Sequence, residues 1–132
     1  MRRTRSSPDS RMEIAVHELL DSRAESRIYV FLLRNKGARS DDIIRGTHLH
    51  PSTVREFLSK MYTRKIIFRK KIRTENIGKN PYLYYAVSPV VLLQRRVKIL
   101  EMRLNKIAQF TCEPHEVASI VQITIDQKEA DQ

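Results

Sequence analysis

Apolar residues recur at helical spacing along most of this chain and give way once to runs of β-branched and aromatic residues. Met12, Ala15, Val16, Leu19 and Leu20 form one face of a first predicted helix. Ser10-Arg11-Met12-Glu13 stands at its start as a capping box, in which hydroxyl and carboxylate each satisfy an orphan backbone N–H. Ser22-Arg23-Ala24-Glu25 repeats that signature and predicts a second helix to about Asn35, striped by Ile28, Phe31 and Leu32. Gly37 follows where a helix commonly ends in a left-handed turn.

Ser40 caps a short third helix, with Asp41 and Asp42 at its positive end and Ile43 and Ile44 toward the core. Gly46-Thr47-His48 breaks it, and Leu49 turns inward. Pro51 then opens a helix to about Thr63, since the first helical position needs no N–H. Its apolar positions Val54, Phe57, Leu58 and Met61 follow the i, i+3, i+4, i+7 series. Ile66 to Ile72 and Tyr82 to Val87 read as two strands joined by a loop from Thr74 to Pro81. Pro114 to Ile125 is apolar at Val117, Ile120, Val121, Ile123 and Ile125, as a short helix followed by a strand or as one helix.

Pro89 opens a long helix to about Phe110. Within it Val90, Leu93, Val97, Leu100, Leu104 and Ile107 alternate spacings of three and four, an a/d seam. At 1.5 Å per residue the helix is roughly 33 Å long, more than a small domain covers. The expected outcome is a coiled-coil-like dimerisation helix over 89–110 that makes the protein a homodimer; a helix folded back on its own domain is the alternative.

Charge narrows the partner. The 132 residues carry a formal net charge of +10 and a pI near 10.1, which favours nucleic acid first and an anionic surface second. Between Lys60 and Lys79 lie Lys60, Arg64, Lys65, Arg69, Lys70, Lys71, Arg73 and Lys79 against Glu75, a local balance of +7. Residues 1–9 read as a disordered basic arm without a secretory signal, and residues 111–132 as an acidic tail with a balance of −4. No apolar run reaches the roughly 18 residues of a membrane span, so no membrane partner is expected. The single Cys112 excludes an internal disulfide and fits a cytoplasmic protein.

On the Pro51–Thr63 helix, Ser52, Glu56, Ser59 and Thr63 lie opposite the apolar arc, with Arg55 and Lys60 at the flanks. Small hydroxyls permit close approach to base edges, Arg donates twice to guanine, and Glu accepts from cytosine. The helix start also offers free N–H groups to a phosphate. A short helix, a three-residue break, this second helix and a basic hairpin together indicate double-stranded DNA as the partner.

The same region resembles the winged helix-turn-helix transcription regulators of bacteria and archaea. The resemblance lies in Asp42-Ile43-Ile44, Leu49-His50-Pro51-Ser52-Thr53-Val54, Phe57-Leu58 with Met61, and Arg64-Lys65-Ile66-Ile67. Asn80-Pro81-Tyr82-Leu83-Tyr84-Tyr85-Ala86-Val87-Ser88-Pro89 looks like the returning wing strand of archaeal TrmB-like and MarR-like regulators. His48 and Lys65 stand where such sequences usually have Gly, so both are expected in left-handed backbone conformation. The implied fold is mainly α, an α+β winged helix over 10–88 with a two-stranded β-wing. The implied DNA contacts are Ser52, Thr53, Arg55, Glu56, Ser59, Lys60 and Arg64, with Lys71, Arg73, Lys79 and Asn80 along the wing. Arg69 and Lys70 alternate faces of one strand, so they do not share one DNA contact.

Other chemistries are weaker. His48-Leu49-His50 and Cys112-Glu113-Pro114-His115 lack a partner at metal-ligand spacing, and His50 reads better as a cap or phosphate contact. No catalytic, metal or cofactor site is expected, and no small-molecule effector is implied. Tyr82, Tyr84 and Tyr85 could stack on single-stranded bases, but they alternate faces and at least one side belongs to the core. Two alternatives to a sequence-specific regulator remain: an architectural DNA-coating protein, and an interaction adaptor that no longer touches DNA.

Overall fold

The computed structural model describes residues 8–72, 81–111 and 121–126. Its elements are α1 (Pro8–His17), α2 (Arg23–Arg34), α3 (Ser40–Thr47), α4 (Pro51–Thr63), β1 (Ile67–Lys71), β2 (Tyr82–Ala86) and α5 (Pro89–Thr111). This is the expected winged-helix order, mainly helical with one antiparallel pair of strands. Contacts divide the chain into two compact units, Met1–Ser88 and Pro89–Gln132.

Helix α2 is the centre of the first unit. Ile28, Tyr29, Val30 and Leu32 are buried, a wider band than the predicted stripe, because α1, α3, α4 and β2 all pack on this helix. Phe31 is only half-buried: its ring lies against Gly46 of α3, and a Cβ there would fall 2.0 Å from it. The glycine of the helix-turn-helix thus lets α3 close onto α2.

The two capping boxes differ in outcome. Ser22 caps α2 by accepting the Glu25 N–H at 3.1 Å, while the Glu25 carboxylate accepts from Asp21 rather than Ser22. Ser10 does not cap α1, which starts two residues earlier and ends at His17. Only Val16 and Leu20 of its predicted face are buried; Met12 and Ala15 are exposed. Ser40 is likewise inside α3, whose cap is Arg39, with the Asp42 carboxylate accepting the Arg39 N–H at 3.1 Å.

Three left-handed residues set the turns. Gly37 has φ +79°, and a Cβ there would approach the Tyr85 hydroxyl to 2.8 Å. His48 (φ 58°) closes α3, and Lys65 (φ 60°) follows α4, both as expected from the glycine that related sequences usually carry at those positions. Side chains tolerate this region at a cost, which these short connections impose.

The strands pair with Ile67 opposite Ala86 and Lys71 opposite Tyr82. Ala38 adds a two-bond bridge to Tyr84 on the other edge of β2, a third backbone segment that periodicity did not reveal. Below this sheet the Tyr29 hydroxyl donates to the Val87 carbonyl. Burial raises the Tyr29 hydroxyl from its ordinary pKa of 10.0 to about 12. Because the folded state holds this proton more tightly, its contribution is complete below pH 10 and is lost as pH rises toward 12. The stability difference between wild type and Tyr29→Phe should therefore fall through that window, by up to ~1.4 kcal/mol per pH unit. Urea titrations of both proteins from pH 9 to 12 measure it.

In the second unit, residues 121–126 are neither helical nor paired as a strand, so a single helix to Ile125 does not form. The Asn105 side chain accepts from the Val121 N–H at 2.5 Å and donates to its carbonyl at 3.2 Å. Glu101 accepts from the Ile123 N–H at 2.6 Å. Two residues of the segment thus match four residues of helix, as an extended chain antiparallel to α5 requires. Val90, Leu93, Leu100, Leu104 and Ile107 of the predicted seam are exposed and Val97 is half-buried. Ile99, Met102 and Phe110, outside the seam, are exposed as well.

Candidate nucleic-acid interface

Helix α4 has the limits that Pro51 and its apolar series dictate. Val54, Leu58 and Met61 are buried against the unit, and the remaining turns face outward. His50 caps the helix: its Nδ1 accepts the Ser52 N–H at 3.2 Å and lies 2.7 Å from the Ser52 hydroxyl. The cap takes up one N–H that the free helix end would have offered a phosphate. Ser52, Arg55, Glu56, Ser59 and Lys60 are exposed and Thr53 is half-buried. These six predicted contacts lie on one helix, off its packed side.

Glu56 and Lys60 form an ion pair of 2.9 Å, one helical turn apart, with both side chains more than half exposed. Such a pair is worth only about 0.3–0.5 kcal/mol, so a base edge or phosphate displaces it at little cost. Lys60 also lies 5.4 Å from the centre of the Phe57 ring.

Arg64 has partners of its own within the first unit. Its guanidinium bonds to Asp21 at 2.8 Å and to Glu25 at 3.2 Å, tying the end of α4 to the start of α2. The Glu25 carboxylate is almost wholly buried, and a buried carboxylate needs such a partner. Arg64 therefore braces the fold, while its side chain remains 45% exposed. Lys71 is exposed at the end of β1. Arg73, Lys79 and Asn80, also expected on the wing, lie outside the described residues.

The strand alternation of Arg69 and Lys70 is realised. The Arg69 guanidinium lies between the rings of Tyr62, at 4.0 Å, and Tyr82, at 4.2 Å, on the side of α4. Lys70 faces the other way, 5.2 Å from the Tyr85 ring, and Phe68 stacks on Tyr85 at 5.1 Å. Tyr84 is buried, so the three tyrosines divide between core and surface.

The family model described as "Sugar-specific transcriptional regulator TrmB" matches residues 22–90. The chain belongs to the TrmB family. The match runs from the cap of α2 to the first turn of α5 and takes in α3, α4 and both wing strands. This TrmB-family chain is accordingly a transcription regulator. Its fold is similar to that of a "Possible transcriptional regulator" from Methanosarcina mazei Go1, at a TM-score of 0.60 and 18% identity. That similarity spans 75% of this chain and 86% of the other, and at such identity it establishes the fold alone. No curated protein matches the chain.

Two residues beside the predicted contacts were not in the sequence-based set: Arg69 and Tyr62. Their pairing depends on strand register and on the roll of α4, neither of which a charge count contains.

Proposed function

We propose that the protein regulates transcription in the cytoplasm as a homodimer that binds double-stranded DNA in a sequence-dependent way. The carrying observation is the division of α4. Val54, Leu58 and Met61 are spent on the core, while Ser52, Arg55, Glu56 and Ser59 are exposed on the outward turns. A helix of that shape enters a major groove with its hydrophilic side toward base edges, and the wing cations follow the flanking backbone. Lys71, Arg73, Lys79 and Asn80 are the wing contacts in this proposal. The seam Val90, Leu93, Val97, Leu100, Leu104 and Ile107 pairs two copies. The recognition helices then fall about 34–36 Å apart on one face of the duplex.

Glu56→Ala should change which duplex is preferred. Loss of an acceptor for cytosine relaxes discrimination at one base pair by roughly 1–3 kcal/mol, with little change for unrelated sequences. Competition titrations against duplexes mutated singly through the site measure this.

Selection of bound duplexes from a random pool, at one stated salt concentration, tests the function itself. Enrichment of an inverted repeat with half-sites one helical turn apart, or a multiple of it, is expected. A pool that binds well and stays random would instead indicate an architectural DNA-coating protein. No binding even at low salt would indicate an adaptor.

A further inference from the structure

The cations beside α4 are not equivalent. Lys60 is paired with Glu56, and Arg64 with Asp21 and Glu25. Arg55 and Arg69 make no hydrogen bond or ion pair among the described residues. Both line one cleft of about 140 Å³ between α4 and the wing strands, together with Leu58, Ser59, Tyr62 and Tyr84.

Arg69 is held there without using its donors. The Tyr62 and Tyr82 rings lie 4.0 and 4.2 Å from its guanidinium carbon, contacts made through the π-faces of the rings. A guanidinium presents its N–H groups in a fixed plane and matches phosphate with two parallel bonds. Two ring contacts therefore fix the cation in place and leave its donors unspent. Arg55 and Ser59 line the same space from the neighbouring helix.

We infer that the cleft between α4 and β1 seats one backbone phosphate of the bound duplex, gripped by Arg69. This rests on the proposed DNA binding and adds to it a named site for a phosphodiester. Arg69 acts here as a locator: one phosphate held at the junction of helix and wing fixes how α4 sits in the groove. Lys70, on the opposite face beside Tyr85, takes no part.

The test uses the full chain and the duplex enriched by selection. Arg69→Ala should weaken binding roughly tenfold per half-site at ~0.1 M salt, the loss of a charge-assisted contact. It should also flatten the slope of log affinity against log salt by about 0.9 per half-site. Arg69→Lys keeps the charge but not the planar fork, and should stay at least threefold weaker than wild type. Phosphates are then neutralised one per half-site as methylphosphonates. One position should weaken the wild type about as much as Arg69→Ala does, and cause no further loss in that variant. Equal affinity of Arg69→Lys and wild type would overturn the inference. So would a neutralisation pattern identical in wild type and Arg69→Ala. Thermal unfolding of each variant confirms that the fold is intact. Failure of the wild type to bind any duplex would show before a variant is made, and would remove the DNA-binding proposal along with this one.

Discussion

Leu100→Asp should convert the protein to monomers and lower its affinity for a two-half-site duplex by about 10²–10⁴-fold, the typical gain from linking two binding modules. Leu100 sits mid-helix in the a/d seam and is 47% exposed in the single chain. A row of apolar side chains along a helix of this length needs a partner surface, and an identical helix supplies one with matched spacing. A carboxylate placed mid-seam would be desolvated in both copies without a countercharge, so the pair separates. Sedimentation equilibrium reads the mass, and anisotropy on intact and half-site duplexes reads the affinity. Half-site binding should change little, since α4 is untouched. An unchanged mass would remove the pairing proposal.

Leu58→Ala should destabilise the first unit by about 2–5 kcal/mol. Leu58 is buried at 3% exposure beside Val54 and Met61, on the side of α4 that faces the core. Removing its branched end leaves a cavity beneath α4. Against a typical total of 5–15 kcal/mol, this is a large share of the stability. Urea unfolding measures it. A change below ~1 kcal/mol would mean that α4 is not seated by this residue.

What the sequence made legible was local. Pro51, the Val54-Phe57-Leu58-Met61 series and the following basic residues were sufficient to place α4, because each signal acts within one or two turns. The left-handed His48 and Lys65 were legible only through the resemblance, because related sequences usually carry Gly at both positions. The seam of α5 could be read as a pattern, but the extended segment beside that helix could not, since Asn105 and Glu101 meet it across 16 and 22 residues.

Long-range partners account for the misreadings. Ser10 and Ser22 begin similar four-residue boxes, and among the described residues the second has its glutamate anchored by an arginine 39 residues away. Charge counting registered Arg64 as a cation and not the two acids that pair with it. Arg69 was left without a role because its stacking depends on strand pairing across the intervening loop, which sets Arg69 opposite Tyr84 and brings Tyr82 to the same face.

Photo-crosslinking from α4 tests the central claim most directly. A benzophenone side chain placed at Ser52 or Ser59, both exposed, should crosslink to the enriched duplex at bases within each half-site. The same group at Ile14 of α1, 66% exposed, should give no adduct under the same salt. Adducts from Ile14 with none from either serine would contradict the account, because the duplex would then be meeting another surface of the molecule.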